Sequence, residues 1–230
     1  AYCVGVTGPP GAGKSTLVDG LLTLLRRNGH RVGVLAADPT SPFTGGAVLG
    51  DRVRMQGHYL DPEVFIRSMA TRGSHGGLPR VTMRAVRVLA ASAADYVLLE
   101  TVGVGQTELD VVGMADTVVV ALVPEAGDAV QTMKAGLTEV ADIFVVNKAD
   151  RPGAAQLETA LRAMLNLDPH RSDRRVPVIL TEAVTGKGVE ELYAAILQHR
   201  EQQEQTSRLA ERRQERRRRE FLQTVGGWVE

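Results

Sequence analysis

Apolar and polar positions alternate between two periods along this chain, and the switches between them outline its elements. Tyr2 to Thr7 is a short apolar run that reads as a buried strand. Leu17, Val18, Leu21, Leu22, Leu24 and Leu25 then recur at helical spacing, and Asn28-Gly29 closes that helix. Arg31 to Ala37 makes a second strand ending at Asp38. Further strands are expected at Tyr96–Leu99 ending at Glu100, Thr117–Val123 running into Pro124, Ile143–Val146 ending at Asn147, and Val176–Leu180 ending at Thr181. Helices fit at Pro79–Ala91, Gln156–Met164 and Val189–Gln198. Alternating strands and helices predict an α/β fold with a mostly parallel central sheet flanked by helices. The glycine-rich stretch from Pro39 to Gly77 reads as one long functional loop. From Leu192 the helical pattern runs on into an arginine-rich stretch with a small apolar anchor at Phe221, Leu222, Val225 and Trp228. The expected organisation is a domain over 1–198 and a C-terminal helical arm over 199–230.

Composition narrows the class. At 230 residues and 43% apolar, the chain is long enough to bury roughly 70% of its extended surface in one core. One cysteine, Cys3, excludes a disulfide scaffold and points to the cytosol or another reducing compartment. No apolar run approaches the ~20 residues of a membrane helix, so no membrane role is expected. The 27 basic side chains balance the 27 acidic ones, but seven arginines fall between Arg208 and Arg219 against two glutamates. A nucleic-acid partner would demand a broader basic field. Helical spacing among those glutamates suits intrahelical ion pairs on a solvated or dimer-bordering helix.

The chemistry gathers just past the carboxyl ends of the expected strands, where open α/β sheets bind ligands. Gly8-Pro9-Pro10-Gly11-Ala12-Gly13-Lys14-Ser15-Thr16 matches the Walker A phosphate loop in its required strand-to-helix context. Backbone N–H groups of Gly11, Ala12, Gly13, Lys14, Ser15 and Thr16 can face phosphates. Lys14 would reach the β and γ phosphates, and the Ser15 hydroxyl would coordinate Mg. Asn147-Lys148-Ala149-Asp150 suggests guanine: a carboxylate at Asp150 accepts from N1–H and the exocyclic amine, a pattern adenine lacks. Losing such a charged bond costs ~2–5 kcal/mol. Asn147 would tie this loop to the phosphate loop, and the Lys148 stem would cover the base. Thr181-Glu182-Ala183 could offer an N–H to guanine O6.

Asp38 and Glu100 end strands on the phosphate side and are candidate Mg-site carboxylates. Asp51 is another candidate, with a helix N-cap as its alternative role. Gly103 would sense the γ phosphate. Val104 follows it, where a water-positioning glutamine stands in many small GTPases, and the nearest amide is Gln106. Slow intrinsic GTP hydrolysis, completed by a partner or a loop movement, is the expectation. The segment from Pro124 to Lys134 reads equally well as a plain connection.

In combination these motifs resemble the MeaB/ArgK family of P-loop GTPases. The matching stretches are residues 5–16, Ala37 to Pro42, Gly45 to Met55, Phe65 to Ser68, Glu100 to Gln106 and Asn147 to Asp150. The resemblance implies a G-protein chaperone that gates cofactor loading and protects an adenosylcobalamin-dependent acyl-CoA mutase, usually methylmalonyl-CoA mutase. It implies GTP/GDP and Mg as cofactors, and a mutase that stimulates hydrolysis. Asp38, Asp51 and Glu100 would join the metal and switch network. The 124–134 loop would be an added switch with Lys134 as its charged reporter. It further implies a homodimer through C-terminal helices, and a helical extension ahead of the first strand that this sequence lacks, as in a fragment or an N-terminally shortened member. Five scattered histidines and one cysteine fit a nickel-loading relative poorly. A metabolic kinase and a ribosome-associated GTPase remain the competing classes.

Overall fold

A computed structural model describes residues 1–38, 55–70, 77–101, 113–125, 138–167 and 176–226. Seven strands pair there: β1 (Tyr2–Thr7), β2 (Val32–Asp38), β3 (Val64–Ala70), β4 (Tyr96–Glu100), β5 (Thr117–Leu122), β6 (Ile143–Asn147) and β7 (Val178–Thr181). They form one sheet in the order β3-β2-β4-β1-β5-β6-β7. Every pairing is parallel. All strands therefore deliver their carboxyl ends to the same edge.

Strand alternation sorts the core into two layers. Tyr2, Val4, Val6, Val119, Ala121, Ile143 and Val145 face one side, with α1 (Lys14–Arg27) and the later helix Val189–Gln205 packed there. Cys3, Val97, Leu99, Val118, Val120, Phe144 and Val146 face the other. That second layer is covered by α2 (Gly77–Ala91) and α3 (Ala154–Asn166), which bring in Leu89 and Leu161. The helix Val189–Gln205 is α4, and Arg208–Gly226 is α5.

Two expectations change. Strand β3 lies inside the stretch read as a single long loop, pairing Val32↔Val64 through Asp38↔Ala70 along β2. It is an edge strand: Phe65 is 51% exposed, and Arg67 and Ser68 interrupt its apolar run. That composition hid it, because periodicity is clear only where both faces are buried. The C-terminal arm is also not one continuous helix. It breaks at Thr206 and Ser207, where Ser207 takes a left-handed φ of 57°, while α4 runs unbroken across position 199.

Helix α5 turns three of the seven arginines inward. Arg213 donates to Asp116 Oδ2 at 2.5 Å, Arg216 pairs with the same carboxylate, and Arg212 lies 3.6 Å from Asp142. Arg219–Glu215, at 3.2 Å, is the intrahelical kind the sequence suggested. Both aspartates are buried immediately before strands, and each accepts a backbone N–H, Cys3 to Asp116 and Val118 to Asp142. Burial alone would raise the Asp116 carboxyl. The Arg213 hydrogen bond, the Arg216 charge and the Cys3 N–H outweigh it and hold it below the usual range.

Candidate functional site

At the carboxyl edge, the chain leaving β1 wraps into a loop laid directly on β5. Gly8 has φ +145°, and a Cβ there would stand 2.0 Å from the Ala121 carbonyl oxygen, so only glycine fits. Gly13, at φ +82°, is the residue ahead of α1, and no side chain caps that helix. Its first-turn N–H groups are thus presented to an anion along with the positive end of the helix dipole. The Lys14 side chain is buried and folds over the loop, donating to the Gly8 and Pro9 carbonyls at 2.8 and 3.0 Å.

Behind the loop, the Ser15 hydroxyl donates to Glu100 Oε1 at 2.5 Å, and both residues are buried. Glu100 is the last residue of β4, in register with Val6 of β1. A second clasp joins the same two strand ends: Thr101 Oγ1 donates to Thr7 Oγ1 at 2.8 Å, and the Thr101 N–H donates to the Val6 carbonyl at 3.1 Å. Sequence reading singled out neither threonine, although both directly adjoin motif residues.

Asn147 closes the other side. Its amide donates to the Ala12 carbonyl at 2.8 Å, while its Oδ1 accepts from Thr181 Oγ1 at 3.0 Å and from the Ala183 N–H at 3.1 Å. One buried side chain thereby fastens the phosphate loop, the exit of β6 and the exit of β7. A Cβ on Gly13 would fall 2.3 Å from the Asn147 amide nitrogen, so the close approach depends on that glycine. Of the Thr181-Glu182-Ala183 stretch expected to offer an N–H to a base oxygen, the Ala183 N–H donates to Asn147. Lys148 takes a left-handed φ of 56°, and Asp150 is exposed beyond it. Lys187 donates to Glu182 at 2.6 Å; that hydrogen bond and charge, with a smaller contribution from Asp150, push the Lys187 ammonium pKa up.

The structure thus brings Gly11, Ala12, Gly13, Lys14, Ser15, Thr16, Glu100, Asn147, Lys148, Asp150, Thr181, Glu182 and Ala183 to one edge. Asp38 ends β2 on that edge, but its side chain lies outside the described residues, as do Asp51, Gly103, Gln106, Lys134 and the rest of the 126–137 segment. Among the described residues no cluster of three His, Cys, Asp or Glu side chains could hold a metal by itself. The Ser15 hydroxyl and Glu100 carboxylate nevertheless suit Mg: both are hard oxygen donors beside a phosphate loop, and Mg takes few protein ligands where phosphates and water complete its shell. Cys3 is buried in β1, and burial pushes its thiol well up, away from any reactive role.

Comparison with known proteins then decides the family. The family model described as methylmalonyl-CoA mutase-associated GTPase MeaB matches residues 1–229. The chain belongs to the MeaB family. A Pyrococcus horikoshii protein named Putative GTPase is 54% identical over 232 residues, covering all of this chain and 73% of that protein. The mouse protein named methylmalonic aciduria type A homolog, mitochondrial, is 38% identical over 217 residues, covering 93% of this chain and 52% of that one. A crystal structure titled LAO/AO transport system kinase superposes with a TM-score of 0.79 at 27% identity, covering all of this chain and 68% of the other. This MeaB-family chain is a P-loop GTPase, with the α/β sheet expected from its sequence. No helix among its described residues is long and apolar enough to cross a membrane.

Proposed function

We propose that this GTPase is a chaperone for an adenosylcobalamin-dependent acyl-CoA mutase, with methylmalonyl-CoA mutase as the first client to test. The client follows from the family description and from the mouse relative's name. The nucleotide chemistry rests on one observation, the Asn147 amide that holds the phosphate loop and both downstream loops in one arrangement.

In this reading the triphosphate lies along Gly11 to Thr16 and the guanine meets the loop at 147–150. The Lys14 ammonium exchanges its two carbonyls for β- and γ-phosphate oxygens, and the uncapped N-terminus of α1 adds to that positive field. Asp150 accepts from the guanine N1–H and amine, the Lys148 stem covers the ring, and Ala183 shares its N–H with O6. Ser15 and Glu100, with Asp38 and Asp51, would hold Mg, which neutralises charge on the β and γ phosphates when bound. Gly103 senses the γ phosphate, Gln106 is the nearest amide to the attacking water, and Lys134 reports to the client. With Val104 in the water-positioning place, turnover is slow until the client arrives. Residues 199–230 serve a homodimer, and the setting is cytoplasmic.

The test is GTP turnover by the purified protein with and without methylmalonyl- and isobutyryl-CoA mutases, with ATP in parallel. Slow GTP turnover, raised by one mutase, is expected, with little ATP turnover, and Lys14→Ala should lower it by roughly 10²-fold or more. ATP used as well as GTP would favour a kinase instead. No response to any mutase would remove the client assignment.

A further inference from the structure

The loop carrying Asp150 is tied to a second strand exit that none of the nucleotide motifs includes. Arg151 Nη1 forms an ion pair with Glu125 Oε1, three residues past the end of β5. Beside it, a Cβ built on Gly153 would stand 3.4 Å from the Pro124 side chain, in ordinary van der Waals contact, so the two loops lie side by side. On its own loop the Arg151 N–H donates to the Lys148 carbonyl at 3.0 Å, closing the turn whose first residue holds the left-handed φ of 56°. Asp150 sits within that turn, exposed, and its carboxylate makes no hydrogen bond to the described residues of the loop. Its orientation is therefore set by the backbone around it, and Arg151 is the adjoining residue whose side chain anchors that backbone to the chain leaving β5.

We infer that Arg151 is a positioning residue for guanine recognition, acting through Glu125 to hold the Asp150 carboxylate where it reads the base. The inference rests on the proposed reading of Asp150 as the guanine acceptor and adds the element that aims it. The pair is about half exposed at both ends, so its contribution is modest and sensitive to salt.

Inosine triphosphate separates aiming from general binding, because inosine keeps N1–H and lacks the exocyclic amine. The measurement is kcat and KM for GTP and inosine triphosphate with the full chain. Arg151→Ala should lower the preference for GTP over inosine triphosphate by ~2- to 5-fold, through KM rather than kcat. The loss should shrink as salt rises from about 0.02 M to about 0.5 M. Exchanging the charges, Glu125→Arg with Arg151→Glu, should restore the preference to near the parent value. Asp150→Ala should erase it by roughly 10-fold or more. If Asp150→Ala erases the preference and Arg151→Ala leaves it intact, or if the exchanged pair fails to restore it, the positioning role is overturned while the base reading stands. If Asp150→Ala also leaves it intact, both fall.

Discussion

At the scale of single residues, Asn147 carries more of the site than any charged group does. Its amide both donates and accepts, so three loops that leave different elements meet on one neutral side chain. Neither Asp nor Ala can do both. Asn147→Asp would place an acceptor against the Ala12 carbonyl and add negative charge beside the phosphate loop, costing ~1–3 kcal/mol. We expect a lower melting temperature and at least roughly 10-fold weaker GDP binding, read by calorimetry and by fluorescent-nucleotide titration. The Asn-Lys-Ala-Asp pattern is plain in the sequence, as is the run from Gly8 to Thr16. What the pattern does not show is that Asn147 also occupies the Ala183 N–H, which lies 36 positions away. Thr7 and Thr101 were equally invisible as a pair, since a hydroxyl bond across 94 positions leaves no local signature.

At the scale of elements, α5 is the informative case. Its arginines look from sequence like a solvated face, and for Arg219 with Glu215 they are. Arg213 and Arg216 instead neutralise a buried carboxylate at the opposite end of the sheet from the nucleotide site. Further along the same edge, Arg200 of α4 lies 5.1 Å above the Tyr2 ring and 5.6 Å from that of Tyr96. Burial pushes the Tyr2 phenol up to about 12, so it stays protonated and bonds Thr117 Oγ1 at 2.7 Å. Asp116 titrates lower in the folded chain than the ordinary value of about 3.9. Its contribution is therefore complete above that ordinary value and is lost as pH falls through the depressed one. Melting temperature measured from about pH 7 down to about pH 3 should fall more steeply for the parent than for Asp116→Asn. At neutral pH that variant should be less stable by ~1–3 kcal/mol, discounted for the partly exposed Arg213. Strand β3 makes the complementary point. Its half-exposed edge position called for a mixed sequence, and mixed sequences read as loop.

At the scale of the whole molecule, the parallel sheet makes the nucleotide edge and the α5 edge opposite ends of the same strands. Strand β6 starts one residue after Asp142, which pairs with Arg212, and ends at Asn147, so five strand residues separate the two networks. Nucleotide binding should consequently stabilise the entire fold and not only the loops. GDP at about 100 times its dissociation constant should add ~2.7 kcal/mol. A single cooperative transition shifted upward in differential scanning calorimetry is the expected result. A transition split in two, with only one part shifted, would show that the edges unfold independently.

By itself the sequence determined the elements whose signals are local: strands buried on both faces, helices with a clear apolar stripe, and loops whose glycines and charged residues adjoin in the chain. Those suffice for the α/β class, the phosphate loop and the Asn-Lys-Ala-Asp pattern, because each depends on neighbours within a few residues. Tertiary structure alone decided which distant groups share a bond. Ser15 meets Glu100 across 85 positions, and Asn147 meets Ala12 across 135. Arg213 finds Asp116 across 97. The physical reason is that hydrogen bonds and ion pairs act over about 3 Å of space whatever the separation along the chain.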